Sequence, residues 1–302
     1  MPERPAELNS PVCGVTGSGG YVGSRLVRRL RADGAGVVEF RGAPPAGQTA
    51  LRKFQLEGAA DSALFRDIDV LIHCAYDFKA RTWSEIRSVN VDGSRRLFES
   101  AARAGVKRFV LISSISAFAG CRSLYGRAKL EIEAMAADRG AVVVRPGLVF
   151  GPRPGGMLRA LDRLSTFPLA VPIVGAGNAI QYVAHEDDLG GLISLATRRP
   201  DEMTMAPVVA AHRHAYTLRA IMTSLSLSHG RRPRFVPIPA GLVAAGLSLL
   251  EAVGLRPKIR RDSLVSLLHS DPAPDFGPLE RLGLNFRPFG PPDTRSVSSG
   301  GR

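Results

Sequence analysis

Apolar residues along the chain fall into short unbroken runs, separated by stretches with helical periodicity. Residues 12–16 are such a run and end in a glycine-rich turn. Beyond it Val22, Leu26, Val27 and Leu30 recur at helical spacing, with arginines on the opposite face. The pattern predicts strands at 37–40, 70–75 (VLIHCA), 108–114 (RFVLISS) and 141–145 (AVVVR). It predicts helices at 89–104 and 124–139. Continuous apolar strands alternating with amphipathic helices imply an α/β fold. Its sheet is parallel and covered by helices on both faces.

After Pro146 the texture changes: proline and glycine become frequent and the alternation weakens. The reading is a doubly wound domain over 10–150, then a smaller lobe over 151–289 interleaved with the last sheet strands. Residues 290–302, rich in Pro, Ser, Gly and Arg, are expected to be a disordered tail. No internal repeat is visible.

Composition narrows the class. The chain has 302 residues, 45% hydrophobic and 22% charged, ordinary for a globular protein. The net charge of +13 comes with arginine clusters at 25–31, 231–234 and 256–261. This suits a solvated surface that attracts anionic small molecules. No recognisable module or interleaved aromatics accompany it, so nucleic acid is not expected as a partner. Cys13, Cys74 and Cys121 are far apart and show neither metal spacing nor a disulfide framework, which fits a reducing, cytoplasmic setting. His212 and His214 read as a surface pair, and no metal is expected. Residues 238–255 are the one apolar stretch near membrane-spanning length. A buried or amphipathic helix is the better reading there; weak membrane contact and a homodimer both stay open.

The turn after the first strand carries chemistry. Thr16-Gly17-Ser18-Gly19-Gly20-Tyr21-Val22-Gly23 follows a strand and opens a helix. Gly17 permits the tight turn, Gly20 lets the backbone approach a pyrophosphate, and Gly23 allows close helix–strand packing. Amides at the helix start, aided by its dipole, then hold the anion.

This TGxxGxxG spacing resembles the extended short-chain dehydrogenase/reductase family, also called the NAD-dependent epimerase/dehydratase family. Other segments carry the same resemblance over about residues 12–190. His73-Cys74-Ala75 is similar to the family's strand end along the cofactor. Residues 88–94 (SVNVDGS) resemble "VNVxGT", 105–114 resemble "GVKRFVxxSS", 145–152 (RPGLVFGP) resemble "RPGxVYGP", and His185-Glu186-Asp187-Asp188-Leu189 resembles "HVDDLA". The resemblance implies a Rossmann-type fold with a C-terminal substrate-binding lobe. It implies NAD(P) contacts at Gly17, Ser18, Gly19, Gly20, Tyr21, Val22 and Gly23. Further contacts are implied at Arg41, Leu56, Cys74, Ala75, Tyr76, Asn90, Ser113, Tyr125, Lys129, Pro146, Gly147 and Val149.

Tyr125 and Lys129 lie one helical turn apart on one face. Free tyrosine titrates near ~10; a neighbouring ammonium and an oxidised nicotinamide would lower that value and let Tyr125 pass a proton. The family order supplies a hydroxyl partner from Ser113, Ser114 and Ser116. Ser114 is favoured, and Ser116 stays open. Arg41 stands at the end of the second strand where an acid would select NAD, so NADP is expected, with NAD as the alternative. Gln55 replaces the family's adenine-touching acid. No carboxylate follows Ser114, which disfavours dehydration, and Gln181 replaces the arginine that epimerases use for a UDP-sugar diphosphate. The expected function is hydride transfer at a hydroxyl or keto carbon of a small-molecule substrate, a nucleotide sugar or related carbonyl compound. A non-catalytic NADP sensor and a membrane-associated scaffold are the rival readings.

Overall fold

The computed structural model describes residues 10–42, 51–58, 60–252 and 260–290. The chain runs β1 (Val12–Thr16), α1 (Tyr21–Ala32), β2 (Gly36–Arg41), β3 (Leu51–Lys53), β4 (Val70–His73), α2 (Trp83–Ile86), α3 (Asp92–Arg103), β5 (Arg108–Ile112), α4 (Leu124–Ala137) and β6 (Val142–Pro146). It continues with β7 (Leu148–Phe150), α5 (Gly156–Ser165), β8 (Val171–Val174), β9 (Ile180–Gln181), β10 (Val183–His185), α6 (Glu186–Arg198) and β11 (Val208–Ala210). Last come β12 (Tyr216–Thr217), α7 (Leu218–Ser228), β13 (Phe235–Ile238), α8 (Ala240–Ala252), α9 (Arg261–Leu268) and α10 (Gly277–Arg281).

Seven parallel strands form the central sheet in the order β11-β6-β5-β4-β1-β2-β3. The order reverses between β1 and β4, and the carboxyl ends of a sheet at such a point leave a crevice for a ligand. Alternate side chains of each strand feed two cores. On one face Cys13, Val15, Val70 and Ile72 pack with Leu26 and Leu30 of α1 and Leu189 and Ile193 of α6. On the other, Phe40, Leu71, Phe109 and Leu111 pack with Leu97 and Phe98 of α3 and Ile132 and Ala136 of α4. Both faces are covered, which is why these strands read as unbroken apolar runs. Each large side chain so buried stabilises the fold by ~1.5–3 kcal/mol.

Three further pairs, β7–β10, β9–β12 and β8–β13, stand outside this sheet. A separate apolar cluster gathers Leu158, Leu161, Val171, Ile173, Ile221 and Met222 around α5 and α7. The chain re-enters the main sheet with α6 and β11.

Some boundaries differ from the sequence expectation. The strand expected at 70–75 stops at His73, because the amides of Cys74 and Ala75 turn to bond the Thr16 hydroxyl. The helix expected from 89 begins as a wide turn over Arg87–Val91 and becomes regular only at Asp92. The helix expected to be buried or amphipathic near 238–255 is α8, and Leu242 and Leu249 on it are 66% and 67% exposed. Residues 291–302 of the expected tail lie outside the described residues, as do 253–259.

Candidate active site

The glycine-rich turn joins β1 to α1 at the reversal point. Gly17 has φ +67°, and a Cβ there would also lie 2.9 Å from the Ala75 backbone. A Cβ on Gly23 would collide with the Gly17 carbonyl, so the helix can come this close only with glycine. Gly20 is less confined: its nearest neighbour would be that same carbonyl at 3.2 Å. No side chain caps α1 at Gly20, so the first amides of the helix stay available to an anion.

A buried chain of hydrogen bonds holds the floor of the crevice. Thr16 Oγ1 accepts from the amides of Cys74 and Ala75. Its proton therefore goes to Nδ1 of His73, 2.8 Å away. His73 Nε2 then donates to Ser94 Oγ at 2.8 Å, and Ser94 donates to the Asn90 carbonyl. Burial, with Lys129 nearby, pushes the His73 pKa down to about 3, so the ring is neutral and structural. Asn90 is spent locally as well: its side chain accepts from the Asp77 amide and donates to the Asp77 carbonyl.

Tyr125 and Lys129 occupy the first turns of α4. Ser123 caps the helix by accepting from the Gly126 amide. From the distant helix α9, Asp262 accepts from the amides of Leu124 (2.7 Å) and Tyr125 (3.0 Å). A carboxylate at a helix N-terminus is favoured by the dipole as well as by the two bonds. Gly126 lets this turn press onto the Ser116 carbonyl, which would overlap any Cβ at that position. Lys129 is buried and donates to the Ile112 carbonyl at 2.8 Å. Burial lowers its pKa to about 8, opposed by Cys74 and Glu133.

The electrostatics of Tyr125 differ from the sequence expectation. Burial pushes the phenol up to about 12, and the Ser114 hydroxyl works against that rise. Lys129 Nζ lies 6.0 Å from the Tyr125 ring centroid. The protein's own groups thus keep the phenol protonated near neutral pH. Of the competing serines, Ser114 stands with Tyr125 on the wall of both cavities, and it accepts from the Ser116 amide at 3.1 Å. Ser113 is turned the other way, donating to Glu133, which forms an ion pair with Arg145 at 2.6 Å.

Two cavities meet at Tyr125. One, of about 680 Å³, runs from Gly17, Gly20, Tyr21, Val22 and Gly23 along Leu56, Cys74, Ala75 and Tyr76 to Lys129. Ser113, Pro146, Gly147 and Val149 complete its wall. The other, of about 510 Å³, lies beyond Tyr125 and Ser114. Tyr125, Ser114, Phe78, Pro146 and Gly147 face both. Of the expected contacts, Ser18, Gly19, Arg41 and Asn90 do not line the long cavity. Ser18 donates to the Phe40 carbonyl beneath the loop. Gln55, read from the sequence as standing in the adenine-touching stretch, lines the long cavity beside Phe54; the sequence reading missed Phe78 and the α9 wall of the second cavity, Ser263, Ser266 and Leu267. Repeated glycines mark the loop, but no local pattern marks a helix that reaches a site 137 residues away.

The model of the NAD dependent epimerase/dehydratase family matches residues 13–211. The chain belongs to that family. It is 29% identical over 246 residues to the ceramide reductase of Caulobacter vibrioides, covering 78% of this chain and 76% of that protein. It is 29% identical over 189 residues to the UDP-glucose 4-epimerase of Vibrio cholerae, covering 52% of this chain and 58% of that protein. Among solved structures, MoeE5 in complex with UDP-glucose and NAD has a TM-score of 0.67 at 21% identity, covering 92% of this chain and 94% of that chain. The UDP-glucose 4-epimerase of Thermus thermophilus, in complex with NAD, has a TM-score of 0.60 at 19% identity, covering 85% of this chain and 97% of that chain. These structural likenesses establish the fold, a Rossmann-type α/β architecture.

Two of the positions at which the sequence was read as departing from the epimerase/dehydratase pattern, Gln181 and Arg41, are held by bonds within the chain. Gln181 stands where the family resemblance implied a diphosphate-binding arginine; its Nε2 lies within hydrogen-bond distance of the carbonyls of Ile180 and Leu267 and of Ser270 Oγ, which share its two protons. It ties β9 to α9 and lines the second cavity without bringing a charge to it. At the end of β2, Arg41 bonds Ser18 Oγ (3.3 Å) and Glu39 (2.7 Å), with its stem 3.8 Å from where a Gly19 Cβ would be. Glu39 is buried in the strand and shared between Arg41 and Arg31, whose guanidinium is 3.0 Å away. Two cations thus meet one carboxylate beside the phosphate loop.

Proposed function

We propose that the chain is an NAD(P)-dependent carbonyl reductase in which Tyr125 is the proton donor, Lys129 its support and Ser114 its hydroxyl partner. The observation that carries this reading is the position of Tyr125 on the wall common to the two cavities. One cavity has the loop, amides and length for a dinucleotide; the other has room for a substrate. Volumes of this size are ordinary for small-molecule sites. When bound, NAD(P) supplies or accepts the hydride.

The chain's own residues do the rest. Among the described residues, the second cavity is lined by no carboxylate and no histidine. Tyr125, protonated with a pKa of about 12, is the group placed to protonate an oxygen held at Ser114. A ketone that gains hydride at carbon and this proton at oxygen becomes an alcohol; the phenolate left on Tyr125 recovers its proton from solvent. Burial favours the neutral phenol, and reduction starts from that form. Lys129, with its ammonium pointed at the Ile112 carbonyl, favours the phenolate as it develops. The cluster around α5, α7 and α9 is the proposed substrate-binding lobe.

NADP is the proposed cofactor, because the Arg41–Arg31–Glu39 group leaves net positive charge beside the loop, where a 2′-phosphate would sit. For the substrate, the uncharged Gln181 argues against a diphosphate. The relative that matches the broader share of the chain carries the name of a reductase of a lipid, which supports a keto compound with an apolar body. Nucleotide-sugar epimerisation is the second reading, favoured by Lys79, Arg81 and Arg260 around the cavity mouth. Assaying NADPH oxidation with long-chain keto compounds and with UDP-sugars separates the two. The reductase reading expects turnover with the former that is lost in Tyr125→Phe. Epimerisation of a UDP-sugar with retained NAD would overturn it.

A further inference from the structure

Helix α8 presents an apolar face outward. Leu242, Ala245, Gly246, Leu249 and Leu250 are exposed, and their spacing of three and four places them on one face. Val243, Ala244, Leu247 and Ser248 are half-buried beneath. The helix is therefore apolar on both sides, whereas a surface helix ordinarily turns polar residues to solvent. The exposed face comes within a strongly cationic stretch. Residues 231–261 hold seven arginines and lysines against one acid, Glu251, in a chain of net charge +13. Arg231, Arg232 and Arg234, just before β13, are exposed, as is Arg261 after α8.

We propose that α8 is an interfacial helix that docks the protein on an anionic lipid bilayer. Apolar side chains enter the boundary between headgroups and acyl chains, and the flanking arginines meet lipid phosphates. The thirteen residues of α8 extend about 20 Å, short of the ~30 Å hydrocarbon core, so the helix lies on the membrane. No described helix is long and apolar enough to cross one. A second copy of the chain is the less favoured occupant. A two-fold contact would set this cationic stretch against itself, whereas an anionic surface complements it. Docking would also suit the site: α8 packs on α9, and α9 supplies Ser263, Ser266 and Leu267 to the second cavity. The cavity would then open one helix away from lipid. The inference does not depend on the reaction assigned to Tyr125, and its test reads binding alone.

The test is co-sedimentation of the full chain with two kinds of vesicle. One is phosphatidylcholine alone; the other is phosphatidylcholine mixed with phosphatidylglycerol. Wild type is expected to bind the anionic vesicles more tightly, and less so at high salt. Leu242→Gln/Leu249→Gln keeps charge and helix propensity. It should bind at least about tenfold more weakly, since each leucine contributes that much when buried. Arg232→Gln/Arg234→Gln should lose about fivefold per arginine on anionic vesicles only. Circular dichroism and thermal melts should be unchanged in both variants, because the altered side chains are exposed. Equal vesicle binding by wild type and the leucine variant would overturn the proposal. So would a wild-type dimer, seen by light scattering, that becomes monomeric in the leucine variant while no form binds vesicles.

Discussion

The glycine-rich loop and the second cavity lie on either side of Tyr125, and they are built differently. The loop is made of backbone and short-range constraint: a left-handed Gly17, a Gly23 pressed on the Gly17 carbonyl, and a relay from Thr16 through His73 to Ser94. The cavity is made largely of side chains drawn from α4, β6, β7, α5, β9 and α9 and from loops beside them. A backbone-built site tolerates almost no change where its glycines press on backbone, at Gly17 and Gly23. A side-chain-built site can be altered wall by wall, which is how one fold takes many substrates.

The strongest break of this comparison is Gly23→Ala. Its methyl would meet a carbonyl that belongs to the loop itself, and overpacking of this kind costs about 1–3 kcal/mol or more. NAD(P) affinity, by calorimetry, should fall by about a hundredfold or to nothing, whereas a Met157→Ala change in the cavity wall should leave it intact. Unchanged affinity in a folded Gly23→Ala variant would mean the loop is not the dinucleotide cradle.

Next in size is Arg41→Ala. If Arg41 meets a 2′-phosphate, its loss removes a charge-assisted contact worth ~1.5–3 kcal/mol, so NADP binding weakens roughly ten- to a hundredfold. NAD binding should hold or improve, because Glu39 is released from its nearer guanidinium. Equal loss for both cofactors would remove Arg41 from cofactor choice.

The smallest effect is on stability. His73 has a folded-state pKa of about 3 against an ordinary value of 6.5. Below pH 6.5 the unfolded chain takes up a proton that the folded chain refuses. Stability from this residue is therefore full above pH 6.5 and falls as pH drops toward 3, by at most ~1.4 kcal/mol per pH unit. Thermal melts of His73→Gln should be flatter than wild type between pH 6.5 and 4.5, above the range where the salt-bridged carboxylates Glu39 and Asp33 protonate. Parallel slopes would mean that His73 is charged or exposed.

What the sequence disclosed follows the same division. The strand at 12–16, the tight turn at Gly17, the close packing at Gly23 and the placing of Tyr125 and Lys129 one turn apart on a helix were legible, because each is a matter of local spacing. Ser18, Arg41 and Asn90 were expected at the cofactor; their side chains bond Phe40, Glu39 and Asp77, and of the three Arg41 alone is kept in the proposed cofactor site. Spacing placed these residues near the site but could not say which way they turn. Asp262 was invisible: its contact with α4 spans 137 residues. The outward face of α8 was misread for a related reason, since an apolar helix gives no sign in its own sequence of whether a partner covers it.

In the proposed reaction Tyr125, on the wall common to the two cavities, gives its proton to the substrate oxygen. The most direct test of this step is Tyr125→Phe, followed by single-turnover kinetics and cofactor titration on the same preparation. The ring is kept, so NAD(P) affinity should be unchanged while turnover falls by about 10²–10⁴. Lys129→Met, by contrast, should impair both. Turnover in Tyr125→Phe close to that of wild type would contradict the account and leave a dinucleotide-binding fold whose chemistry lies with another residue.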